Sequence, residues 1–224
     1  MLNYLFSNPF YNIFIWIVSL LTAISIHEFA HAWMSDHLGD PTARISGRVT
    51  LNPLAHLDPF GSVLLPLTLL IIRSPLIFGW GKPVPFDPYN LRHPRRDAAL
   101  ISFAGPAANL ILAFFLAIII RLGYLSLGSQ AQLLTTILTP FITISIILAI
   151  FNLIPVHPLD GGKILIGLLP EGIAYSWDEF LKKWGFFIIL FLIFPFFGFS
   201  LVAVIISPII NFLLSLLLPG VSLI

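Results

Sequence analysis

His27, Glu28 and His31 stand close together at the end of an uncharged run that begins at residue 1. Two histidines four residues apart share one face of a helix, so both imidazoles can reach a single metal ion. Glu28 directly follows the first histidine and can reach a water held on that ion. The pattern is H-E-x-x-H, the spacing of hydrolytic zinc sites. A four-coordinate catalytic zinc needs a third protein ligand and keeps one position for water. Asp160 is the candidate, in His157-Pro158-Leu159-Asp160-Gly161-Gly162. It is the only acid between Asp97 and Glu171, and it follows an apolar run directly. The glycines beside it let the backbone bend sharply. The chain has no cysteine, so disulfides and thiolate ligands are excluded. A metal must take His, Asp or Glu.

Positioning these groups falls to apolar elements. Of 224 residues, 58% are hydrophobic and 9% charged, far from the roughly 25% charged of soluble domains, and the mean hydropathy is +1.00. Residues 1–26, 98–120, 122–159 and 184–224 are uncharged, and about 20 apolar residues make one helical span. The expected fold is an all-α polytopic membrane protein with about five to six transmembrane helices. A small β or re-entrant element is expected between the first two core helices. The N-terminus lacks a basic region and a small-residue cleavage site, so it does not read as a signal peptide. A net charge of +1, with no basic patch interleaved with aromatics, argues against nucleic acid as a partner.

The predicted spans are 10–34, 98–120 and 133–155. Residues 184–218 are too long for one span and predict two helices, broken near Ser207-Pro208. Alternation of Ile45, Val49 and Leu51 with Arg44, Ser46, Arg48 and Thr50 predicts an amphipathic strand over 43–51. Residues 79–97 read as a polar loop and 170–183 as a short polar connection.

Topology constrains the remaining segment, 59–80. His27 and His31 lie at the C-terminal end of one span, and Asp160 follows the C-terminal end of another. Those two spans must run the same way, and 98–120 must run oppositely. Residues 59–80 must therefore return to the side they left, as a re-entrant loop or hairpin does. Ten of the eleven basic residues then share one side, with Arg121 alone opposite. That side is cytoplasmic by the positive-inside rule. A multi-pass protein of the plasma membrane follows, with its site near the cytoplasmic face.

H-E-F-A-H at 27–31, A-G-P-A-A-N at 104–109 and N-L-I-P-V-H-P-L-D-G-G at 152–162 resemble the site-2 protease family of intramembrane zinc metalloproteases. The likeness is to compact prokaryotic members without a PDZ domain, and it covers roughly residues 10–165. The resemblance implies one Zn2+ per chain held by His27, His31 and Asp160, with Glu28 as general base. It implies for Asn152 a role in holding substrate or the oxyanion. It implies a zinc metalloendopeptidase that cuts transmembrane protein or peptide substrates inside the lipid bilayer. Residues 1–224 then form one membrane-embedded domain, with 184–218 as additional C-terminal helices. An unwound substrate could add to the edge of the 43–51 strand. His157 stands where many members have a small residue or proline, and it receives no role on the metal.

The rival reading is a metal-ion or proton-coupled transporter, which favours acids spread through depth and a paired repeat. A second rival is an inactive relative that only binds membrane partners; an intact Glu28 argues against it. His56 and His93, in loops beside prolines, read as surface or interfacial residues. Asp58 reads as a turn initiator, Gly105 and Pro106 as packing devices. Trp33, Trp80, Trp177 and Trp184 read as an interfacial belt.

Overall fold

The structure, a computed structural model, describes residues 9–64, 68, 81–194 and 200–218. Eight α-helices follow along these residues: α1 Pro9–His37, α2 Thr42–Ile45, α3 Pro53–His56, α4 Pro94–Leu127, α5 Gln132–Asn152, α6 Asp160–Leu168, α7 Glu171–Ile193 and α8 Leu201–Leu217. No strand occurs among the described residues. Among the described residues three helices are long and apolar enough to cross a membrane, Phe10–His37, Pro94–Leu127 and Gln132–Asn152, and α8 is a shorter apolar helix.

The bundle is built on α4. Its buried face carries Ser102, Gly105, Pro106, Asn109, Ala113, Ala117 and Ile120, spaced three and four apart, as one helical stripe demands. Small side chains on that stripe let neighbouring helices approach closely, which is how membrane helices gain packing without a hydrophobic driving force. Its far half, with Ile142 and Ile146 of α5 and Val202, Ile206, Ile210 and Leu214 of α8, forms the apolar core. Its near half faces α1. Contacts of His31 with Ile101 and of His27 with Asn109 make that pair antiparallel.

Residues 43–51 are not a strand. Asp40 is buried and accepts hydrogen bonds from the Thr42 backbone N–H at 3.1 Å and its hydroxyl at 2.5 Å, which starts the short helix α2. Gly47 then turns the chain with φ +67°. Ile45 and Leu51 are exposed, while Ala43 and Arg48 are buried. The alternation seen in the sequence therefore has no apolar face to bury. Asp40 also receives the Ser35 hydroxyl, the Asp87 backbone N–H and the Asn90 amide. It ties the end of α1 to the segment that leads into α4. Burial alone would raise its pKa, but the hydrogen bonds from Thr42, Asn90 and Asp87 outweigh burial and hold it at about 2.

Most of the expected re-entrant segment 59–80 lies outside the described residues, as does Trp80. Its two ends are described. Leu57 pairs with Gly81 in an isolated antiparallel bridge, and the Lys82 N–H donates to the His56 carbonyl at 2.8 Å. The chain thus leaves and returns at one place.

Two boundaries near the C-terminus differ from expectation. Residues 171–183 are the first half of α7, not a connection. Their charges suit a helix, since Asp178 pairs with Lys182 one turn on. The helix break falls after Ile193 and not at Pro208. Phe194 is extended, ψ 133°, as a residue before proline prefers. Pro208 lies inside α8, where the Ser207 hydroxyl donates back to the Ala203 carbonyl.

Candidate metal centre

One turn of α1 presents His27 and His31 to the buried face of α4, and a hairpin after α5 brings Asp160 to them. Their ligand atoms lie within 4.8 Å of one another. The two imidazoles stand edge to face at 90°. His27 Nε2 is 3.0 Å from His31 Nε2. Asp160 Oδ2 is 3.1 Å from His27 Nε2 and 3.2 Å from His31 Nε2. Both histidines are buried.

The other ring nitrogens are held from α4. His31 Nδ1 lies 2.7 Å from the Ile101 carbonyl, which can only accept. Nδ1 therefore donates, and a neutral ring turns the lone pair of Nε2 inward. His27 Nδ1 lies 3.2 Å from the Asn109 amide. Asn109 is fully buried and its Oδ1 has no partner. Exchanging the amide oxygen and nitrogen, which have nearly the same shape, gives Oδ1 the Nδ1–H of His27. Two imidazole lone pairs and a carboxylate oxygen then converge with no hydrogen between them.

Gly105 makes the room. A Cβ there would stand 2.5 Å from Cε1 and Nε2 of His31 and 2.8 Å from Cε1 of His27. Sequence reasoning gave Gly105 a general packing role and gave Asn109 none. The available signal was spacing: Gly105 and Asn109 are four apart, as His27 and His31 are, on a helix that runs antiparallel to theirs.

The hairpin before Asp160 depends on two glycines, for closeness and not for a bend. A Cβ on Gly161 would lie 2.2 Å from the Ile154 carbonyl oxygen, and one on Gly162 would lie 2.8 Å from the His157 backbone N. Asp160 is the first residue of α6.

The remaining candidates are not part of that three-residue group. Glu28 is half-buried on α1, and a Cβ on Gly81 would be 3.4 Å from its Oε1. The returning chain therefore runs beside it. Asn152 ends α5, and its amide donates to the Leu148 carbonyl of its own helix at 2.9 Å. His56 is fully buried, against the surface role expected for it, and Nε2 donates to the Thr50 carbonyl at 2.7 Å. His93 is exposed and precedes α4; its backbone N–H donates to Asp97. His157 pairs with Asp178 at 3.2 Å.

Comparison with known proteins adds one family, three relatives and no solved structure. The model of Peptidase family M50 matches residues 122–196. The Bacillus subtilis (strain 168) protein named "Putative zinc metalloprotease YwhC" is 36% identical over 180 residues, which are 79% of this chain and 78% of the relative. The Mycolicibacterium smegmatis protein of the Rip2 type, also named as a zinc metalloprotease, is 31% identical over 79% of this chain and 65% of its own length. The Mycobacterium tuberculosis (strain H37Rv) Rip2 protein is 30% identical over 65% of this chain and 52% of its own length. No solved structure matches.

Proposed function

The chain is a zinc metalloprotease of peptidase family M50, and from that premise we propose an intramembrane endopeptidase that cuts transmembrane segments with Glu28 as general base. One observation carries the reading: three electron-pair donors converge in a buried site and need a cation between them. Ligand bonds of about 2.0–2.1 Å around a tetrahedral zinc put neighbouring ligand atoms about 3.3 Å apart. The three separations here are 3.0, 3.1 and 3.2 Å. His27, His31 and Asp160 would hold one Zn2+, and imidazole with carboxylate suits that ion.

When bound, zinc polarises a carbonyl and lowers the pKa of a coordinated water to about 7. The protein's own groups do the rest. The Ile101 carbonyl and Asn109 fix the ring orientations of His31 and His27, as partners behind a ligand do. Glu28 accepts the proton of the attacking water and passes it to the departing amine. Asn152 serves the oxyanion through the second N–H of its amide, the first being given to the Leu148 carbonyl. The substrate helix must unwind locally, because its peptide groups are bonded within its own ladder.

Topology supports the same reading. The pairing of Leu57 with Gly81 brings the chain on either side of 59–80 to one place, as the parity of the spans requires. α1 and α5 then end on the side where α4 begins. Lys and Arg residues of 35–64, 81–97 and 160–183 gather there. Arg121 lies at the other end, where it donates to the Leu216 carbonyl at the end of α8. The basic side is the cytoplasmic one, so the metal lies near that face with a short path for water. Residues 10–165 act as the catalytic core of one membrane-embedded domain, with α8 and the second half of α7 as additional helices.

The test is Glu28→Gln. About one zinc per chain is expected in both proteins, with cleavage of a transmembrane model substrate about 10²–10⁴-fold slower in the variant. A variant that cuts at the wild-type rate contradicts the assignment of the base.

A further inference from the structure

His27 and His31 sit on a long helix, and each has its second ring nitrogen tethered to α4. Asp160 has no such tether. Among the described residues its carboxylate meets only the two imidazoles, so its position depends on the hairpin that carries it. The start of that hairpin, residues 153–159, is tied to α5 by Leu153 N–H to Ala149 and Ile154 N–H to Phe151, but the part nearer Asp160 has few backbone bonds: Val156 N–H to Ile154, Leu159 N–H to Val156, and Gly162 N–H to Leu159. Something else must hold it in place.

The brace comes from α7. His157 Nε2 donates to Asp178 Oδ1 at 3.2 Å, and the two side chains are 15% and 29% exposed. The backbone of α7 presses on the same residue: a Cβ on Gly185 would stand 2.3 Å from the His157 carbonyl oxygen. From the other side, a Cβ on Gly162 would stand 2.8 Å from His157 Nδ1. His157 is thus wedged between the start of α6 and the middle of α7, three residues before Asp160. Hydrogen bonds to charged groups in such half-buried places are stronger than neutral ones.

We propose that Asp178 is a positioning residue for the metal site: through His157 it fixes the 153–159 hairpin and so sets where the Asp160 carboxylate stands. The polar half of α7 is then part of the catalytic unit rather than a connection to the C-terminal helices. The inference rests on Asp160 being the third ligand.

Zinc affinity of the full-length apoprotein, measured by chelator competition, tests it without recourse to activity. Asp178→Asn is expected to weaken zinc binding about tenfold, at the lower end of what loss of a supporting partner costs. His157→Gln keeps a donor at similar reach and is expected to bind zinc as the wild type does, while His157→Leu behaves as Asp178→Asn. The deciding comparison is a double-mutant cycle. In an Asp160→Asn background the further change Asp178→Asn is expected to alter zinc affinity less than twofold, because the ligand it positions is gone. Wild-type affinity in Asp178→Asn, or the same tenfold loss with and without Asp160, overturns the proposal. Unchanged affinity in Asp160→Asn alone overturns the ligand assignment instead, a separately readable failure. If Asp178→Asn does not fold, the contrast between His157→Gln and His157→Leu decides in the same way.

Discussion

Gly105→Ala isolates the packing on which the metal centre depends. Carbon atoms in ordinary contact stand about 3.5–4.0 Å apart. The added methyl would stand 2.5 Å from His31 Cε1 and Nε2 and 2.8 Å from His27 Cε1, so the rings must retreat by about 1 Å. They have little freedom to do so. His31 is bonded to Ile101 and His27 to Asn109, both on the same helix as Gly105. The remaining route is to push α1 from α4, which breaks those bonds together. Overpacking of this kind costs about 1–3 kcal/mol of stability, and misplacing catalytic groups by about 1 Å can cost about 10²-fold in rate. The expected result is a folded protein whose zinc affinity and cleavage rate each fall about 10²-fold. Chelator competition and cleavage of a transmembrane model substrate measure the two. Gly172→Ala is the control, since a Cβ there meets nothing within 4 Å. Wild-type zinc affinity and cleavage in Gly105→Ala would refute the reasoning.

Other outcomes follow from the same contacts. Asn109→Ala removes the partner of His27 Nδ1 and is expected to weaken zinc binding about 10–100-fold, while Asn109→Asp, which keeps an acceptor, retains most of it; competition with a chelator reads both. Asp40→Asn should destabilise the protein near neutral pH by roughly 2 kcal/mol. The folded pKa of Asp40 is about 2, below its ordinary 3.8. Its contribution is therefore full above about pH 4 and lost as pH falls toward 2. Acid unfolding of wild type and variant should converge over that window. Removing zinc with a chelator should abolish cleavage, and adding zinc back should restore it, in wild type but not in Asp160→Ala.

The clustering of His27, His31 and Asp160 was legible because rare charge in an apolar chain is informative. Two histidines four apart and a lone acid between Asp97 and Glu171 left few alternatives, and the structure brings those three together. The antiparallel course of α1 and α4 was legible for the same reason, since it follows from where His27, His31 and Asp160 lie in the sequence. What the sequence hid was contact between helices. Asn109 looks like any small polar residue in a span until α4 is laid against α1. His56 looks like a loop histidine until its loop folds over it. The strand expected over 43–51 failed because alternation marks a strand only when one face is buried. Here Ile45 is 80% exposed and Arg48 6%, and Asp40 offers the chain a helical start instead. Pro208 misled because proline does not always end a helix in an apolar setting; it lies inside α8, and the break falls after Ile193.

A zinc-edge anomalous difference map of the zinc-loaded protein would probe the centre directly. The expected result is one peak about 2.0–2.2 Å from His27 Nε2, His31 Nε2 and an Asp160 carboxylate oxygen. A protein that hydrolyses its substrate with zinc bound elsewhere, or with Asp160 beyond ligand distance, would contradict the account.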